Sequence, residues 1–170
     1  QKPIVGIQEP TYDRTITLLK NLNIEIFSTA SASSILDVEY LKDMLAAGQR
    51  LEYLYVIPDF QNPTGMVMDL ETRKEIIALA RAYRFYIVED APYRHLRYKG
   101  KEIPSCFDID QEHVIHMSSY SKTICPGLRV GFMILPTFLA KKLSKLAEDT
   151  YINCSFLNQA IVHQFAAEGW

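Results

Sequence analysis

The chain has 170 residues, 48% of them hydrophobic and 22% charged, and its 18 basic and 20 acidic side chains leave a formal charge of −2. That length suffices for one domain with a sizeable core, and the near-neutral balance excludes a broad basic face for nucleic acid. No stretch approaches the roughly 20 consecutive apolar residues that span a bilayer, so no membrane segment is expected.

Residues 4–8 read as a buried strand closed by Glu9 and Pro10, and 12–22 as an amphipathic helix with Ile16, Leu19 and Leu22 at helical spacing. A second strand is expected over 24–27. A helix within 33–47 follows, with Leu41, Met44 and Leu45 as its inner face and Gly48 as its stop. Residues 53–57 form a third strand that runs through Pro58-Asp59-Phe60-Gln61 into Asn62-Pro63-Thr64-Gly65. Asp69 is a candidate N-cap for a helix reaching about Tyr83, with Ile76, Leu79, Ala80 and Tyr83 inward. The fourth strand, 85–88, ends at Glu89-Asp90, and the fifth, 114–117, ends in the serines before Lys122. The sixth spans 130–135, and helical patterns over 138–149 and 156–167 follow it.

Strands apolar throughout and alternating with helices point to a three-layer α/β/α domain built on a mostly parallel sheet. Ligands of such sheets gather beyond the carboxyl ends of the strands. Asn62, Asp90 and the 119–122 segment each follow such an end, so their positions agree with one shared site. Cys106, Cys125 and Cys154 are widely spaced and form no C-x-x-C pair. That argues against a disulfide framework or zinc site and suits a reducing, cytoplasmic compartment. His95, His113, His116 and His163 form no H-E-x-x-H pattern, and no metal is expected.

Four motifs carry chemistry: Gln61-Asn62-Pro63-Thr64-Gly65, Asp90-Ala91-Pro92-Tyr93, Ser119-Tyr120-Ser121-Lys122 and Pro126-Gly127-Leu128-Arg129. Singly, they read as a plain turn, a strand-end acid, a solvated lysine and a surface arginine. Together, in this order and at these strand ends, they resemble the large domain of the fold-type I, pyridoxal-phosphate-dependent aminotransferases of class I/II. The segments around Asn62 and Arg129 are especially similar to the aminoadipate-type and broad-range aromatic or branched-chain branch. They are similar also to the effector domain of regulators that carry an aminotransferase-like module.

The resemblance implies pyridoxal 5′-phosphate as cofactor and Lys122, Asp90 and Tyr93 as catalytic residues. Lys122 would hold the cofactor aldehyde as a Schiff base and, once displaced, carry a proton; that role needs an amine able to lose its charge near neutral pH. Asp90 would face the pyridine nitrogen and keep it protonated. Asn62 and Tyr93 would bind the phenolic oxygen, and Asn62 also the substrate carboxylate. Ser119, Ser121 and Arg129 suit the phosphate, the arginine through its two-pronged fork, with Gly127 allowing a tight turn before it. Glu89 points the other way if the strand pattern persists, and Phe60, Met66, Met68 and the cysteines read as packing residues.

The implied activity is transfer of an amino group between an amino acid and a 2-oxo acid, in a homodimeric parent. A cofactor-binding effector domain of a transcription regulator, or a decarboxylase or lyase, uses the same residues. Residues 1–170 are expected to be a partial large domain. Further phosphate donors and a ring-stacking aromatic would lie N-terminal to it, and a small domain with the carboxylate-binding arginine would lie C-terminal, so that the piece alone is incomplete for catalysis. The family's sheet has seven strands; six are counted here, the seventh being expected at an edge.

Overall fold

Short apolar runs build the sheet. In the computed structural model, which describes residues 2–169, the strands are β1 (Ile4–Ile7), β2 (Glu25–Ser28), β3 (Tyr53–Val56), β4 (Tyr86–Asp90), β5 (Val114–Ser119) and β6 (Gly131–Ile134). Among the described residues they form one sheet in the order β2-β1-β3-β4-β5-β6. The first five run parallel, and β6 pairs antiparallel with β5. The helices are α1 (Asp13–Asn21), α2 (Val38–Ala46), α3 (Leu70–Tyr83), the short α4 (Cys106–Ile109), α5 (Thr137–Tyr151) and α6 (Phe156–Ala167).

Alternation along the central strands divides the core between two sheet faces. Leu54 and Val56 of β3 join Ile87 and Val114 against Leu41 and Leu45 of α2 and Ile76, Ile77 and Ala80 of α3. Tyr55, in the same strand, and Ile57 just beyond it turn the other way and pack with Val5, Ile7 and Leu19 of α1. This is the expected α/β architecture with a mostly parallel sheet. No helix among the described residues is long and apolar enough to cross a membrane.

Three details differ from the sequence reading. First, within the expected 33–47 span the helix α2 occupies only Val38–Ala46. The Ser34 hydroxyl donates to the Leu36 carbonyl at 2.7 Å and holds a local turn, and the Asp37 carboxylate caps the Tyr40 amide at 3.0 Å. Second, Leu22 (60% exposed) and Tyr83 (41% exposed) stand outside the core, and Ile77 takes an inward place on α3 instead. Third, β4 and β5 each run two residues further than their apolar stretches. Ladder pairing engages backbone groups and tolerates Glu89, Asp90, Ser118 and Ser119 as strand residues. Asp90 and Ser119 are therefore the last residues of adjacent parallel strands.

Candidate active site

The carboxyl ends of β3, β4 and β5 lie side by side, and the candidate residues hang from them. Asp90 closes β4 and is mostly withdrawn from solvent. The register pairs Tyr55 with Val88, so Tyr55 shares the sheet face of Asp90. The Tyr55 hydroxyl donates to Asp90 Oδ2 at 2.6 Å. Desolvation pushes the Asp90 carboxyl above the usual carboxylate range, while the Tyr55 hydrogen bond and nearby His116 pull it back. Burial, reinforced by the neighbouring carboxylate, pushes the Tyr55 phenol up, so it remains a donor at neutral pH.

Past Asp90 the chain stays fastened to β5. The Ala91 amide donates to the Met117 carbonyl at 2.9 Å, and the Ser118 hydroxyl to the Ala91 carbonyl at 3.0 Å. Tyr93 follows in the next turn. Lys122 Nζ lies 5.7 Å from the centroid of the Tyr93 ring, within cation–π range, and Asn62 Nδ2 donates to the Tyr93 hydroxyl at 3.5 Å. Asn62, Tyr93 and Lys122 therefore form one continuous row from three separate loops.

The Asn62 turn is organised by its neighbours. Gln61 is buried; its Nε2 donates to the Pro10 carbonyl at 2.8 Å, and its Oε1 accepts from the Thr64 amide and hydroxyl at 3.0 and 2.7 Å. Gly65 takes a positive φ of 74°, open to glycine at no steric cost.

After β5 the chain turns sharply. The Ser119 hydroxyl accepts from the Ser121 amide at 3.0 Å, and the Arg129 guanidinium donates to the Ser121 hydroxyl at 3.2 Å. In the tight turn before it, the left-handed conformation falls on Arg129 itself, with φ of 53°, and not on Gly127. The turn ahead of it, Pro126–Leu128, is held by Asn158 of α6, whose side chain donates to the Leu128 carbonyl at 2.9 Å. Ser119, Ser121 and Arg129 line a groove of ≈ 590 Å³ between β5, β6 and α5.

Two residues absent from the sequence reading belong to this neighbourhood. Tyr55 reads as core in an apolar strand; the available signal was its parity with Asp90, which needs the register of β3 on β4. Tyr12, 39% exposed at the start of α1, lies close enough to Tyr55 to interact with it electrostatically. It is an aromatic ring near the same strand ends, whereas the sequence reading expected a ring-stacking aromatic only in a preceding segment. Glu89 faces the opposite side of the sheet, where it accepts from the Cys106 and Phe107 amides at 2.8 and 3.3 Å and lies 2.8 Å from His116 Nδ1.

Residues 2–168 match the family described as aminotransferase class I and II. The aromatic-amino-acid aminotransferase 1 of Thermococcus litoralis is 29% identical over 172 residues, an alignment covering 98% of this chain and 41% of that protein. An uncharacterized HTH-type transcriptional regulator of Bacillus subtilis is 29% identical over 169 residues, 99% of this chain and 38% of that protein. The crystal structure of the α-aminoadipate aminotransferase of Thermus thermophilus, complexed with N-(5′-phosphopyridoxyl)-L-leucine, superposes with a TM-score of 0.90 at 29% identity, covering 99% of this chain and 44% of that one. The chain thus spans about two fifths of the length of the relatives it matches. With the family matched along nearly every residue and the fold shared at that level, the chain belongs to the class I and II aminotransferases.

Proposed function

We propose that the chain is the cofactor-holding part of a pyridoxal-phosphate-dependent enzyme that transfers an amino group between an amino acid and a 2-oxo acid. One observation carries this reading: an amine, Lys122, resting over the Tyr93 ring beside a strand end that carries the desolvated, tyrosine-bound carboxylate of Asp90. The donor set suits pyridoxal phosphate, with an amine for an aldehyde, a carboxylate for a ring nitrogen, a phenol and amide for a phenolic oxygen, and Ser119, Ser121 and Arg129 for a phosphate. When bound, that cofactor supplies a carbonyl that takes up the amino group and a ring that accepts the electron pair released at the substrate α-carbon.

The roles of the protein groups follow from their surroundings. Asp90, held by Tyr55, would set its carboxyl group opposite the ring nitrogen and favour a positive charge there, an interaction that its low-dielectric setting strengthens. Lys122 anchors the cofactor and then, as a free amine, carries a proton to and from the substrate α-carbon. Asn62 and Tyr93 would hold and orient the cofactor's phenolic oxygen, and Asn62 would also bind the substrate carboxylate. Arg129, through its two-pronged fork, and the Ser119 and Ser121 hydroxyls would hold the phosphate.

The same proposal takes residues 1–170 as a partial large domain of a homodimeric, cytoplasmic protein. The share of its relatives' length supports the first part, and the free thiols of Cys106, Cys125 and Cys154 accord with a reducing compartment. A second reading, a cofactor-dependent effector domain without turnover, is favoured by the similarity to the Bacillus subtilis regulator.

The test uses the full-length protein reconstituted with pyridoxal phosphate. It is expected to show a visible absorbance band and a borohydride-reducible covalent adduct, both lost in Lys122→Ala. An adduct that persists in the variant refutes the assignment. Consumption of amino acid with release of 2-oxo acid separates the enzyme from the effector domain.

A further inference from the structure

Asp59 is fully buried, and its two carboxylate oxygens are shared by three guanidinium groups. Arg73, also fully buried, donates to Oδ1 at 3.0 Å and to Oδ2 at 3.3 Å. Arg94 donates to Oδ2 at 3.1 Å and Arg97 to Oδ1 at 3.2 Å. The remaining capacity of Arg73 goes to the carbonyls of Pro58, Met68 and Pro104 at 3.3, 3.1 and 3.0 Å. The Arg97 guanidinium also lies over the Phe60 ring, 4.8 Å from its centroid. Arg94 turns its second nitrogen to Glu102 at 2.9 Å and to Asp108 at 3.7 Å.

The position of this cluster in the chain is informative. Asp59 stands three residues before Asn62, and Arg94 immediately follows Tyr93. Neutralising one buried carboxylate takes one cation, and Arg73 supplies it with a two-pronged contact. Arg94 and Arg97 exceed that need; what they add is a bridge from the loop after β3 to the loop after β4. The direct hydrogen bond between Asn62 and Tyr93 is 3.5 Å long, at the weak limit for such a bond, and does not by itself hold two loops in register.

We propose that Asp59 and Arg94 are positioning residues, which set the spacing of Asn62 and Tyr93 and through them the hydrogen bonding of the cofactor's phenolic oxygen. This rests on the proposed function, in which that oxygen lies between the two side chains. Hydrogen bonds to an oxygen adjoining the lysine-bound nitrogen tune that nitrogen's proton affinity, so disturbing the spacing moves a spectroscopic titration as well as an affinity.

The experiment uses full-length protein loaded with pyridoxal phosphate. Arg94→Gln leaves Asp59 neutralised by Arg73 and Arg97, so the fold is retained. The cofactor dissociation constant is expected to rise about tenfold, and the pH midpoint of the visible absorbance change to move by about half a unit or more. Arg94→Lys, which keeps a cation against Asp59, should recover at least half of that movement; no recovery assigns the loss to altered folding and overturns the proposal. Arg81→Gln breaks an ion pair with Asp110, ahead of the amino end of β5. It should lower the melting temperature while leaving affinity and midpoint where they are. If wild type binds cofactor and Arg94→Gln matches it in both readouts, the positioning role is wrong and the functional reading survives. If wild type takes up no cofactor, both fall.

Discussion

A carboxylate stripped of water is costly to keep charged, and Asp90 shows the conflict in one residue. Desolvation raises its pKa, and the Tyr55 hydroxyl at 2.6 Å offsets part of that rise. The folded-state value lies above the unfolded one, so the folded protein binds a proton more readily, and ionising Asp90 costs stability as pH rises through the window between the two values. In cofactor-free full-length protein, Asp90→Asn is therefore expected to melt at the same temperature as wild type or higher near pH 7. That advantage should shrink below about pH 4, where the unfolded carboxyl also protonates. Amino transfer by the loaded protein should fall roughly 10²–10⁴-fold. Paired thermal melts across pH and a turnover assay check the two halves. A marked loss of stability in the cofactor-free variant would mean that Asp90 is a structural residue. Lys122 and Asn62 can be proposed as site residues from sequence because they occur in compact motifs. Tyr55 was not, because nothing near it in the chain distinguishes it from core.

Among the elements, the starts of helices were legible where a side chain does the capping. The Asp69 carboxylate accepts from the Thr72 amide at 2.8 Å and begins α3, as its place before the apolar period suggested. That backbone hydrogen bond holds the Asp69 carboxyl below its usual value. Its contribution is thus fully present above the unfolded value of about 3.9 and is lost as pH falls through the lowered folded one. Asp69→Ala should cost about 1 kcal/mol near pH 7, and urea unfolding at successively lower pH should show wild type and variant converging. A gap that stays constant with pH would contradict the cap. The sequence leaves the start of α2 open within 33–47; Ser34 bonds its own neighbourhood in place of a helix turn, and the helix begins only at Val38. The four-residue α4, with its Ser105–Asp108 capping box, is too short to show any period.

Across the whole molecule, the two ends of the sheet carry different burdens. Chemistry-bearing groups gather at the carboxyl ends of β3 to β5, and a surface-side ion pair ties the other end. There Asp110 accepts from Arg81 of α3 at 2.7 Å and from the Glu112 and His113 amides at 2.8 and 3.1 Å. Partial burial works against its charge, yet the Arg81 bond and the two amides hold the Asp110 carboxyl below the ordinary range. Folding gains from its charge above the unfolded value of about 3.9 and loses that gain as pH drops through the depressed folded value. Because the Arg81 side chain is 55% exposed, solvent screens the pair, and Asp110→Ala should cost only roughly 1–2 kcal/mol near neutral pH. Denaturant unfolding of the full-length variant should show that cost vanish in acid. Cofactor affinity should remain unchanged, since the site lies at the far end of the strands.

Apolar runs, helical spacing and breaker residues determined, from the chain alone, six strands and the longer helices, though not the four-residue α4, and the order of elements implied a mostly parallel sheet. Periodicity and turn chemistry are local properties, written within a few residues of where they act. Register, and the side-chain meetings that depend on it, are relations between distant segments. Only the tertiary structure decided that Tyr55 meets Asp90 across 35 positions and that Asp59 collects arginines 14, 35 and 38 residues away. Those partners are fixed by which strands pair and how far each slides, and burial made the resulting hydrogen bonds obligatory.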